Sequence, residues 1–256
     1  MKRESLLGSV ARCGAAMIIS VSAMAAEKTS TPHQLRILAV GSRAPFKQEL
    51  RDGVRYEIDP PAGSLPPREI QVGVVDSEGE PGDVGDQALR LRLGEPSSPV
   101  AVPAPNDPDR KLILRDDESG LVWLKPALSP GSSTMLLVWR AGKTWSEAKS
   151  RAFDDSSTAV PPGNCRVINV SPANIGVTWG DKRIVVRPGK QHLFSFPSGA
   201  SAGRIRLQYA HGEEFVTLMD TEVGNDSGMK RQFVVFRSDQ ADARQPIQVI
   251  PLVERR

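Results

Sequence analysis

The chain has 256 residues, 33 lysines and arginines against 30 acidic residues, and only two cysteines. A formal charge of +3 falls to +1 once the basic first 25 residues are set aside, so no whole-protein basic affinity for nucleic acid is expected. The 22 glycines and 21 prolines punctuate short apolar runs and form no single low-complexity tract, which points to β structure.

The chain opens with Lys2 and Arg3, followed by Arg12, the uncharged stretch Cys13 to Ala25 and the small-x-small ending Ala23-Met24-Ala25. That layout predicts a signal peptide over residues 1–25 and a bacterial protein that acts in the periplasm or outside the cell. The apolar stretch is shorter than the roughly 20 residues a membrane helix needs, and no later segment is long and apolar enough, so no integral span is expected after leader removal. Cys13 leaves with the leader. Cys165 then stands alone, and no intramolecular disulfide can form.

Beyond the leader, short runs of strand formers follow one another: RILAV, REIQVGVV, LRLRL, KLIL, LVWL and MLLVW, then RVINV, IGVTW, RIVV, HLFSF, RIRLQY, FVTLM, QFVVF and IQVIPL. Many alternate apolar with polar, and turn residues separate them, as in an all-β sandwich or barrel. The best helix pattern, Trp145 to Phe153, is short and equally suits a turn leading into a strand. Between two early runs lies VDSEGEPGDVGD, with Asp76, Glu78, Glu80, Asp83 and Asp86. Carboxylates alternating with glycine could wrap Ca²⁺, but Gly79 is the fourth residue from Asp76, where an EF-hand loop needs glycine at the sixth. The plainer reading is a solvated loop.

The strand-like runs also repeat. PPREIQVGV (66–74) resembles PPGNCRVINV (161–170), LRLRLG (89–94) matches IGVTWG (175–180), and PVAVP (99–103) answers VVRPG (185–189). SGLVWLK (119–125) answers AGRIRLQ (202–208), and MLLVWR (135–140) answers QFVVFR (232–237). RILAVGSRAPF (36–46) resembles LLVWRAGKTW (136–145) and, more loosely, VVFRSDQA (234–241). The expectation is two tandem, duplicated β-sandwich modules of immunoglobulin-like type, residues 26–157 and 158–256, carrying −3 and +4 charges.

RVINVSP followed by a strand and VRPG resembles the opening of bacterial extracytoplasmic β-sandwich domains of unknown function. The matching residues are Arg166, Val167, Asn169, Ser171, Pro172, Val186, Pro188 and Gly189. The resemblance implies an exported sandwich and supplies no catalytic residue. Each position also has a structural use: Pro172 ends a ladder, Asn169 and Ser171 bond nearby backbone, and Pro188-Gly189 suits a type II turn.

No catalytic, cofactor-binding or metal-binding residue is assigned. His33, His192 and His211 lie far apart, with no zinc spacing, and there is no G-x-S-x-G elbow, P-loop or G-x-G-x-x-G. Cys165 adjoins Arg166, but neighbouring strand residues point to opposite faces, so the guanidinium is poorly placed to activate the thiol. The leading functional expectation is a non-catalytic binding or structural module of a periplasmic or cell-surface assembly, meeting a protein partner by edge-strand addition. A periplasmic chaperone for surface fibres is the alternative, with LRLRL (89–93) and RIRLQY (204–209) as the alternating strands such proteins expose. A hydrolase with an unrecognised site is the third.

Overall fold

Alternation in the sequence becomes strand after strand. The computed structural model describes residues 32–42, 47–76, 87–104, 110–240 and 243–255, so the leader, the acidic run 77–86 and with it the calcium question lie outside the described residues. In the first half the strands are β1 (His33–Val40), β2 (Lys47–Arg51), β3 (Val54–Ile58), β4 (Glu69–Asp76) and β5 (Gln87–Arg90). They continue as β6 (Val100–Val102), β7 (Arg110–Asp116), β8 (Val122–Leu124), β9 (Ser133–Arg140) and β10 (Ala148–Asp154). The second half has β11 (Asn164–Asn169), β12 (Ile175–Trp179), β13 (Lys182–Val186) and β14 (Lys190–Ser195). It closes with β15 (Ala202–His211), β16 (Glu214–Gly224), β17 (Met229–Arg237) and β18 (Ile247–Arg255). Of the candidate helix, only a 3₁₀ turn at Trp145–Glu147 forms, and Ala148 already opens β10.

Four sheets of four strands build two sandwiches. In the first, β6-β1-β9-β10 faces β5-β4-β7-β8; in the second, β14-β11-β17-β18 faces β13-β12-β15-β16. The orders correspond strand for strand, and so do the directions: β1 runs parallel to β9 and β11 parallel to β17, with every other pair antiparallel. Among the described residues the β2–β3 hairpin is the one added sheet, inserted between β1 and β4.

Three cores hold these layers. Leu35, Ile37, Leu136 and Val138 meet Ile70, Val72, Leu112 and Leu114 inside the first sandwich. Inside the second, Cys165, Val167, Phe233 and Val235 meet Val177, Trp179, Ile205 and Leu207. The third core lies between the sandwiches, where Leu38, Val40, Met135, Leu137 and Phe153 pack on Ile168, Val234, Phe236 and Leu252. The two sheets at this seam are therefore covered on both faces. This explains why RILAV, MLLVW and QFVVF read as nearly unbroken apolar runs, whereas outer strands such as RIRLQY alternate.

The two halves share one strand order, but the strands that correspond differ from the sequence expectation. The expected match of residues 66–74 to 161–170 sets β4 against β11, whereas the sheets set β1 against β11 and β4 against β12. MLLVWR and QFVVFR do occupy the same place, on β9 and β17. Arg36 pairs with Met135 and Arg166 with Gln232, so Leu35-Arg36-Ile37-Leu38-Ala39-Val40 corresponds to Cys165-Arg166-Val167-Ile168-Asn169-Val170. The counterpart of Cys165 is thus Leu35. The cause of the slip is the hairpin: it lengthens the first β1–β4 connection to residues 41–68, while β11 and β12 are joined by residues 170–174 alone.

Candidate functional site

The seam between the sandwiches concentrates the charged chemistry of the molecule. Arg36 and Arg166 are equivalent positions on the two central strands, and each alternates out of its own sandwich core and into the seam. They converge on Asp155, whose side chain is 1% exposed: Arg166 Nη2 donates to Oδ1 at 2.7 Å and Arg36 Nη2 to Oδ2 at 2.5 Å. Lys230 Nζ also binds Asp155, and Gln232 adds a bond at 3.3 Å. Arg36 reaches on to Glu254, which occupies on β18 the place Asp155 holds after β10.

Burial by itself would raise the Asp155 carboxyl, but Lys230, Arg36 and Arg166 outweigh it and hold the group below the ordinary carboxylate value. Burial lowers Lys230, and the attraction of Asp155 offsets only part of that. These bonds run between protein groups, and through them the cluster joins the two inner sheets.

Most residues of the RVINVSP resemblance carry structural work. Asn169 Nδ2 donates to the carbonyls of Ala173 at 2.7 Å and Val186 at 2.9 Å, while its Oδ1 accepts from Ser171 N and Oγ. This ties the end of β11 to the end of β13. Lys190 N then donates to Arg187 O at 3.0 Å around Pro188 and Gly189, and Gly189 has φ 69°, as a type II turn requires. Val167 and Val186 fill the second core.

Cys165 is fully buried in that core, and burial pushes its thiol up to about 12. Such a group is protonated and inert at neutral pH. The histidines stay apart. His33 is buried, with Nε2 2.8 Å from Thr134 Oγ1 and Thr134 Oγ1 2.7 Å from Ser129 Oγ; His192 and His211 are exposed. His33 therefore bonds a wholly buried threonine, and the hydroxyl of Ser129 is spent on Thr134 and on the carbonyl of Ser133. Of the two alternating strands, RIRLQY lies on β15 in the middle of its sheet, paired on both sides, whereas LRLRL continues from the edge strand β5.

The surface carries one element that sequence reasoning missed. All ten residues of the β2–β3 hairpin are exposed, among them Leu50 at 67%, Val54, Tyr56 at 50% and Ile58. Tyr56 stands opposite Glu49, with Val54 opposite Arg51 and Ile58 opposite Lys47, so the apolar residues of β3 share one face with alternating charges. The signal was present as VRYEI, an alternating run directly after Asp52-Gly53, a hairpin dipeptide.

No protein-family model matches the chain, and no curated protein matches it. Among the described residues no helix is long and apolar enough to cross a membrane.

Proposed function

We propose that the protein is an exported, non-catalytic binding or structural module of a periplasmic or cell-surface assembly, built by tandem duplication of a sandwich, and that it meets a protein partner through the β2–β3 hairpin. The observation that carries this reading is the hairpin itself. A two-stranded ribbon is marginal on its own in water, and this one leaves Leu50, Val54, Tyr56 and Ile58 outside all three cores. Its free edges can add to a partner sheet while its apolar face packs against side chains. The matching strand order of the two halves supports the duplication.

The test places a photo-crosslinking residue at Tyr56 in expressing cells, with a second at Arg204, on the outer face of the second sandwich, as control. Discrete adducts of one or a few envelope proteins are expected from Tyr56 alone, with the protein recovered from the periplasmic or surface fraction. Adducts at both positions alike, or a cytoplasmic protein, would refute the reading.

A further inference from the structure

Beside the seam, and lined by none of the hairpin residues, lies an open cleft of about 860 Å³. Its described lining carries Arg140, Lys143, Lys149, Arg151 and Arg237 against a single carboxylate, Asp239. That carboxylate is already committed. Arg140 Nε lies 3.0 Å from its Oδ2, and Ser42 N donates to its Oδ1 at 2.7 Å. Arg140 also donates to the Asp239 carbonyl at 2.7 Å, so this pair pins the segment after β17 to the first sandwich.

The other four cations are exposed, and none is ion-paired among the described residues. Their convergence follows from the fold. Lys149 and Arg151 are two apart on the edge strand β10 and share a face with Phe153, which enters the seam. Farther out along that face, Arg151 lies against Gly189 of the opposing sandwich and over the Phe153 ring. Arg237 ends β17 as Arg140 ends β9; Arg140 is spent on Asp239 and Arg237 is not.

Four like charges around one concavity focus a positive potential that the net negative remainder of the chain does not supply. Between them the lining mixes the apolar Trp139, Val170, Pro172, Pro188 and Pro246 with the polar Ser171, Ser238 and Gln240. Phosphate or sulfate chains gain little from such walls, whereas a polypeptide can lay its backbone and methylenes on them and direct carboxylates at the cations. We infer that this cleft binds an acidic segment of a partner polypeptide. The inference does not rest on the hairpin.

A fluorescein-labelled oligoglutamate peptide, followed by anisotropy with the full chain, tests it. Binding is expected to weaken with added salt and to fall roughly tenfold or more in Lys149→Glu/Arg237→Glu. Lys182→Glu/Arg183→Glu on β13, away from the cleft, makes the same change in net charge and is expected to bind like the parent. All four side chains are exposed, so both variants are expected to keep the parental circular dichroism and melting midpoint. Absence of binding to the parent, or equal losses in the two variants, would overturn the inference. Tripolyphosphate binding more tightly than the peptide would overturn the choice of a polypeptide. A Tyr56→Glu hairpin variant should bind the peptide unchanged, which separates this result from the fate of the hairpin reading.

Discussion

Asp155→Ala is expected to destabilise the protein by about 3–5 kcal/mol, the cost of removing one partner from a buried ion pair. The size follows from what is left behind. Arg166 and Lys230, 1% and 5% exposed, would face each other and the 18% exposed Arg36 without the carboxylate that now joins all three. Glu254 can answer only part of this, since it reaches Arg36 closely but stands 3.8 Å from Lys230. For a chain of this size each kcal/mol moves a melting midpoint by about 2–4 °C, so a fall of roughly 6–20 °C is expected.

Guanidinium unfolding followed by circular dichroism and tryptophan fluorescence measures the loss. Three of the four tryptophans, Trp123, Trp139 and Trp145, belong to the first sandwich, so separation of the two signals would reveal the sandwiches coming apart. Acid supplies a second readout. The Asp155 pKa is lowered in the folded state, so its contribution is present above the unfolded value near 3.8 and is lost as pH falls through the lower folded value. The variant's acid limb should therefore be flatter than the parent's. A loss below about 1 kcal/mol, the range of a solvent-exposed pair, would refute the buried-cluster argument.

Two further outcomes test other parts of the fold. Asn169→Ala should cost roughly 2–3 kcal/mol by denaturant unfolding, because the carbonyls of Ala173 and Val186 and the Ser171 amide lose their partner together. His33 is held below its ordinary pKa by burial, against smaller opposing effects of the Gly131 backbone and Asp154. Below about pH 6.5 the unfolded chain therefore takes up this proton first and stability declines as pH falls toward the folded value; melts of His33→Gln should show a shallower decline over that range.

Much of this architecture is legible in the chain, and what is not has physical causes. Most strands are legible because alternation and turn residues are local, although β2 and β3 escape that reading. The difference between inner and outer sheets is also written in the sequence: MLLVW and QFVVF are apolar on both faces, RIRLQY on one. Pairing is another matter. Arg36 meets Asp155 across 119 residues and Glu254 across 218, separations at which no local pattern signals contact. The correspondence of LRILAV with CRVINV is visible once β1 is known to begin the repeat. It is obscured because β4 follows a Pro-Pro pair much as β11 does, and the hairpin puts β1 out of step. The structural use of Asn169, Ser171 and Gly189 was readable because each acts within about 20 residues of itself.

The seam also shows how two similar sheets select each other. Arg36 matches Arg166 and Asp155 matches Glu254, but Lys230 and Gln232 have as counterparts Ser133 and Met135. Two copies of the second inner sheet, stacked together, would bury two Arg166 and two Lys230 against two Glu254, leaving an excess of two positive charges. Two copies of the first would place the apolar Met135 where Gln232 now bonds Arg166 and Asp155. Only the pairing of first with second gives Asp155 its full set of donors. Apolar packing at the seam discriminates less sharply, because Leu38, Met135, Leu137, Ile168 and Val234 are all aliphatic or thioether side chains without directional bonds. The choice therefore falls to the buried charges, where an unmatched group costs several kcal/mol and a matched one roughly breaks even.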